Sequence, residues 1–181
     1  MKKILIRSSK GGTGKSTLTE SIRQVLEADV IDMDHQKTIT MASQLTNSYT
    51  PLDNENEAKG KYLIYDTPPY NDEGILSLIE NMDIIIIPSK IGYPDLLALH
   101  PTYEGVKKAN KINNAILLFN DVRKPLTNEK KEIIDCFKET FPELKIAQTQ
   151  ISRLDSFASV FRKPLEDKAL EQIQSFLKEI I

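Results

Sequence analysis

The stretch Ser9-Lys10-Gly11-Gly12-Thr13-Gly14-Lys15-Ser16-Thr17 constrains the fold more than any other part of the chain. It follows a short apolar run, Ile4-Leu5-Ile6, and precedes Leu18, Ile22, Val25 and Leu26, which recur at helical spacing. A glycine-rich turn between a strand and a helix can aim several backbone N–H groups at one point. The positive end of the helix dipole adds to their attraction for phosphate. Side chains at the glycine positions would block that approach or forbid the backbone angles. The spacing matches the phosphate-loop pattern, with Ser9 in place of the usual first glycine. In that pattern Gly11, Gly12, Thr13, Gly14 and Thr17 build the cradle, Lys15 reaches the outer phosphates and the Ser16 hydroxyl is a magnesium ligand. The plainer reading is a glycine-rich turn with a surface lysine; the flanking strand and helix favour the phosphate loop.

Four more short apolar runs lack clean alternation: Val30-Ile31 closing on Asp32, Tyr62 to Tyr65 closing on Asp66, Ile84 to Ile87 closing on Pro88, and Ala115 to Phe119 closing on Asn120. Strands of a parallel sheet, buried on both faces, read this way. Between them, Ile75, Leu78 and Ile79, then Leu96, Leu97 and Leu99, then Ile133, Ile134 and Phe137 fall at helical spacing, as do Leu165, Ala169, Ile173, Phe176, Leu177 and Ile180 at the end. The alternation predicts an α/β fold, a mostly parallel twisted sheet with helices on both faces. Pro101 is expected to end or kink the helix that starts near Pro94, leaving two helical pieces. Residues 46–60, crowded with Asn, Ser, Thr, Asp and Glu, read as a surface loop without a regular element.

A length of 181 residues fits one domain over 1–181. The 24 Lys and Arg nearly balance the 26 Asp and Glu, which excludes a globally basic nucleic-acid binder but not a local basic face. The balance is uneven along the chain. Asp53, Glu55, Glu57, Asp66, Asp72, Glu73, Glu80 and Asp83 stand against only Lys59 and Lys61, so the remainder is mildly basic. A single cysteine, Cys136, and the absence of a Cys/His cluster exclude disulfide- and zinc-stapled scaffolds, and a reducing cytoplasm is expected. Set among Ile133, Ile134 and Phe137, Cys136 reads as a buried small hydrophobe. No apolar run approaches a signal peptide's core or a membrane span. In the last helix Glu166, Asp167, Glu171 and Glu179 outnumber Lys168 and Lys178, which favours packing on the sheet over contact with anionic lipid.

The second lysine inside the loop, Lys10, marks the deviant form of the motif, and nearly the whole chain resembles the ParA/MinD family of deviant Walker ATPases. Within that family it is most similar to the small ParA-type plasmid partition proteins that lack an N-terminal DNA-binding domain. Lys10-Gly11-Gly12-Thr13-Gly14-Lys15-Ser16-Thr17 looks like the Walker A box, Asp32-Met33-Asp34-His35-Gln36 like the A′ box, and Tyr65-Asp66-Thr67-Pro68-Pro69 like Walker B with switch II. The resemblance implies a P-loop fold binding ATP or ADP with Mg2+, and a slow, partner-stimulated hydrolase. It implies an ATP-dependent homodimer in which Lys10 reaches the partner's nucleotide. Lys10, Lys15 and Asp34 would be catalytic, Asp34 by orienting the attacking water, while Asp32 and Asp66 would lie with Ser16 at the magnesium. Asn120 would read the adenine edge. From the residues alone, Asp32 is also readable as a helix cap or turn, and Asn120 as an ordinary turn asparagine.

The same resemblance implies a ParB-type centromere-binding partner and non-specific DNA contacts, with Lys107, Lys108, Lys111, Arg153, Arg162 and Lys163 as candidates. Lysines at such spacing also suit a merely solvated helix face. The expected location is cytoplasmic, on the nucleoid when ATP is bound. Two departures stand out: His35 replaces the usual proline after Asp34, which frees the loop, and Arg162 stands where glycine is common. Alternative functions on the same scaffold are a MinD-like positioning ATPase, a dethiobiotin-synthetase-type ligase and a metal-cluster carrier. The acidic last helix, the lack of further substrate groups and the single cysteine weigh against them in turn.

Overall fold

The computed structural model describes residues 1–69 and 74–181. Asp72 and Glu73 of the acidic stretch lie outside the described residues. Six strands, β1 (Lys2–Ile6), β2 (Asp29–Asp32), β3 (Tyr62–Asp66), β4 (Ile84–Ser89), β5 (Ala115–Phe119) and β6 (Lys145–Ile146), form one sheet. Its order is β2-β3-β1-β4-β5-β6, and every pair is parallel. The helices are α1 (Lys15–Leu26), α2 (Thr38–Thr46), α3 (Ile75–Glu80), α4 (Tyr93–Lys108), α5 (Asn128–Thr140), α6 (Asp155–Ala158) and α7 (Asp167–Leu177).

Strand alternation splits the core into two layers. Ile4, Ile6, Ile64 and Ile86 face one side, where they pack with Leu18 and Ile22 of α1 and with Ile173 and Phe176 of α7. Leu5, Leu63, Ile85 and Ile87 face the other, against Leu99 and Val106 of α4 and Ile133 and Phe137 of α5. Each such aliphatic side chain, fully buried, contributes about 1.5–3 kcal/mol. This double burial is why the strands read as unbroken apolar runs.

The chain winds outward from β1 in both directions, so the loop after β1 opens where the order reverses, between the ends of β3 and β4. Ligand sites of open α/β sheets lie at such points. The register places Ile6, Asp66 and Asp32 side by side on adjacent strands, which sets both acids at the sheet end where the glycine-rich loop begins.

Three local expectations change. Helix α4 runs unbroken from Tyr93 to Lys108 with Pro101 inside it. The carbonyl that loses its donor belongs to Leu97, whose side chain is 76% exposed, so that turn of the helix is open to water. Of residues 46–60, read as a loop without a regular element, Thr46 is the last residue of helix α2 and Glu55–Glu57 form a short 3-10 turn; the rest is irregular. Cys136 is half-buried rather than buried. Among the described residues no helix is long and apolar enough to cross a membrane.

Candidate functional site

Gly12 and Gly14 adopt φ of +72° and +87°, angles that side chains rarely tolerate, and Gly14 caps the start of α1. A Cβ placed on Gly11 or Gly12 would meet no atom within 4 Å, so the loop is open for a ligand to approach its backbone. Gly14 is different: a Cβ there would lie 2.4 Å from Nδ2 of Asn120. That nitrogen donates to the carbonyl of Thr13 at 2.8 Å, so Asn120 braces the loop from the end of β5, 107 residues away. Thr13 Oγ1 is buried without a hydrogen-bond partner.

The two loop lysines are held differently. Lys15 is buried, and among the described residues its ammonium makes only a long 3.4 Å contact, to the carbonyl of Lys10. Burial pulls its pKa below the usual value; Asp66 and Asp34 oppose this, and Arg7 adds to it. Such a cation gains most when an anion enters beside it. Lys10 turns back onto its own subunit, with Nζ donating to Asp95 Oδ1 at 2.7 Å. The preceding Ser9 donates its N–H to Thr102 Oγ1 at 3.0 Å. Asp95 and Thr102 are seven residues apart, on one face of α4. That helix therefore grips the first two residues of the loop.

Of the three acids, Asp66 is fully buried and neither carboxylate oxygen has a hydrogen-bond partner among the described residues. Burial pushes its pKa up to about 7; Asp32 and Asp34 push the same way, while Ser16 and Lys15 oppose. A buried carboxylate with free lone pairs beside a serine hydroxyl is the donor set of a cation that keeps phosphate and water in its shell, as Mg2+ does. No three His, Cys, Asp or Glu side chains converge on one metal position among the described residues, which also fits an ion held largely by its substrate.

Asp32 is otherwise engaged. Its Oδ2 accepts from the N–H and the hydroxyl of Thr40, at 3.0 and 2.9 Å, and its Oδ1 from the N–H of Asp34 at 3.2 Å. It ties down the first turn of α2 through Thr40 and positions the turn that carries Asp34. Asp34 Oδ1 in turn accepts from the N–H of Gln36 at 3.0 Å, its carbonyl accepts from the N–H of Lys37 at 2.9 Å, and Lys37 Nζ donates to the Asp32 carbonyl. With this web in place, the missing proline at His35 does not leave the loop free.

A cavity of about 360 Å³ opens beside Gly12, Thr13 and Gly14, walled by Asn120, Ser152 and Phe157. Its rim holds an ion cluster absent from the sequence reading. The Arg153 guanidinium is bidentate on Asp121, and Lys90 Nζ lies 3.3 Å from the same carboxylate. The hydrogen bonds from Arg153 hold the Asp121 carboxyl below its usual range. Arg153 is thus occupied. So are Lys107, paired with Glu143, and Lys111, which donates to the carbonyl of Met82. Lys108, at the end of α4, and the adjacent Arg162 and Lys163, in the segment between α6 and α7, are exposed.

Comparison with known proteins agrees with this geometry. No curated protein sequence matches the chain significantly. Among solved structures, a Borrelia burgdorferi plasmid partition protein bound to AMPPNP superposes with a TM-score of 0.74 at 17% identity, covering 98% of this chain and 97% of that one. Apo McdA from Cyanothece gives 0.73 at 18% identity over 99% of both chains. MinD in the Aquifex aeolicus MinC:MinD complex gives 0.71 at 14% identity, covering 100% of this chain and 97% of the other. These likenesses establish a shared P-loop α/β fold. A family model, the CobQ/CobB/MinD/ParA nucleotide binding domain, matches residues 4–165, and the chain, with its glycine-rich cradle at the switch point of a parallel sheet, belongs to that family.

Proposed function

We propose that the protein is an ATP-dependent dimerisation switch with slow ATPase activity. In its ATP state it binds DNA without sequence preference, and it acts in plasmid or DNA partition with a ParB-type partner. The observation that carries this reading is the pairing of the open, glycine-lined loop with Asp66, a buried carboxylate beside Ser16 whose oxygens lie within hydrogen-bond distance of no partner among the described residues. The likeness to a plasmid partition protein, over nearly the whole of both chains, supports the cellular role.

On this reading the loop N–H groups hold the triphosphate and Lys15 lies on its outer charge. Mg2+, held by Ser16 and Asp66, would neutralise charge at the phosphate oxygens when bound. Asp34, fixed by the Gln36 N–H, orients water, and Asp32 acts through Asp34 and α2 rather than as a metal ligand. Lys10 exchanges Asp95 for phosphate across the dimer. The test is sedimentation with ATP and Mg2+ beside retention on random-sequence duplex. A monomer-to-dimer shift with ATP-dependent retention is expected; an unchanged monomer overturns the switch.

Asn120 has a separate test, because it braces the loop. Asn120→Ala leaves the Thr13 carbonyl short of a donor, a cost of about 1–3 kcal/mol, or roughly 5- to 150-fold in affinity. A brace predicts equal weakening of ATP and inorganic triphosphate in calorimetry. Weakening of ATP alone would make Asn120 a reader of the base instead.

A further inference from the structure

We infer that Arg123, Lys124, Lys130 and Lys131, on the loop after β5 and the first turn of α5, form the surface on which duplex nucleic acid docks through its phosphates. This rests on the DNA-binding reading above but moves the contact away from three of the six cations that the sequence put forward. Arg153, Lys107 and Lys111 already have acceptors in the fold. The side chains of the four inferred here have neither hydrogen-bond nor ion-pair partners among the described residues, and all but the half-buried Lys130 are exposed.

Their backbone is held in place. Val122 donates its N–H to Ile151 and accepts from Arg153, each at 2.9 Å, and Thr127 caps α5 by accepting from the N–H of Lys130 at 3.3 Å. The positive end of the α5 dipole therefore adds to the four charges. Of the acids nearest in sequence, Asp121 is taken by Arg153 and Lys90, while Glu129 and Glu132, both exposed, offset part of the charge and leave four cations against two acids. No aromatic residue lies between Asp121 and Lys131, and its one large aliphatic, Leu126, is half-buried. A surface with charge but neither a stacking platform nor an apolar anchor suits the backbone of a duplex better than a single strand or a protein segment. The patch begins three residues beyond Asn120, which contacts Thr13 in the phosphate loop, so the nucleotide cradle and the patch share one strand end.

The test compares two charge-matched variants in ATP and Mg2+: Arg123→Ala/Lys124→Ala/Lys130→Ala/Lys131→Ala, and Lys59→Ala/Lys61→Ala/Lys168→Ala/Lys178→Ala. Random-sequence duplex binding is titrated against salt, and dimerisation is followed by sedimentation. Four lost phosphate contacts flatten the plot of log K against log salt by about 3–4 per protomer and weaken binding at ~0.1 M salt by at least about 100-fold. The control variant keeps its slope, and both still dimerise. A wild-type protein that dimerises but binds no duplex defeats the underlying DNA reading. Wild-type binding that the first variant retains with an unchanged slope overturns this surface. So does loss of binding in Arg162→Ala/Lys163→Ala instead. Displacement of the duplex by poly-glutamate at equal charge would assign the patch to an acidic protein and overturn the nucleic-acid assignment.

Discussion

Lys15→Ala is expected to abolish ATP-dependent dimerisation and to lower turnover by about 10²–10³-fold, the loss typical of removing one preorganised charge from a transition state. The variant should nevertheless fold as well as the wild type. The Lys15 ammonium is buried and, among the described residues, makes only the 3.4 Å contact to the Lys10 carbonyl. Its pKa is lowered chiefly by burial, so the charged form is disfavoured on folding at every pH below the unfolded lysine value. Removing it therefore relieves a cost at neutral pH, partly offset because Asp66 and Asp34 lose a nearby cation. Thermal unfolding within about 1 kcal/mol of wild type, with no dimer in ATP by sedimentation, is the expected pair of results. Dimers that still form with ATP would sink the switch.

The sheet and the cradle were legible because their signals are local. Each central strand is an apolar run ended by a polar residue or a proline, and Gly12 and Gly14 are demanded by backbone angles that few other residues adopt. Helix α2 was not, for a physical reason: Thr38–Thr46 buries just Ile39 and Ser43, while its larger apolar residues, Met41 and Leu45, are exposed. No stripe marks its buried face. The two-residue edge strand β6 is too short to show a period. At the site, what escaped sequence reasoning is long-range: the Asn120 brace on Thr13, the grip of α4 on Ser9 and Lys10, and the Asp121 cluster with Arg153 and Lys90. Asp32 is the instructive middle case. A local role in a cap or turn is an open reading of the sequence; what it hides is the partner, Thr40, eight residues on, which engages one carboxylate oxygen while the Asp34 N–H engages the other.

That division between Asp32 and Asp66 bears on how the A′ segment works. Asp32 is engaged by hydrogen bonds and holds geometry; Asp66 is buried beside Ser16 with no other acceptor or donor in reach among the described residues, which on the proposed reading leaves it for a cation. Asp34 lies between these roles, at the sheet end, with one oxygen tied to the Gln36 N–H. Because Asp32 fixes the Asp34 backbone and Lys37 closes the turn on both, the position of Asp34 does not depend on a proline at residue 35.

Asp34→Ala consequently separates chemistry from assembly. The side chain contributes one hydrogen bond to the turn, worth about 0.5–1.5 kcal/mol, while the Asp32–Thr40 contacts that hold α2 stay in place, so the variant should fold with only a small loss of stability. Phosphate binding through the loop and Lys15 is untouched, and ATP should still drive dimerisation. Hydrolysis loses the group that orients water and should fall by about 10²–10⁴-fold, the range of a general-base contribution. Dimers formed in ATP would then persist for hours where wild-type dimers decay, a difference read directly by sedimentation after excess ATP is removed. Wild-type turnover by Asp34→Ala would remove the residue from the mechanism. Failure of the variant to dimerise, with Lys15→Ala also monomeric, would mean instead that Asp34 shapes the nucleotide-bound interface.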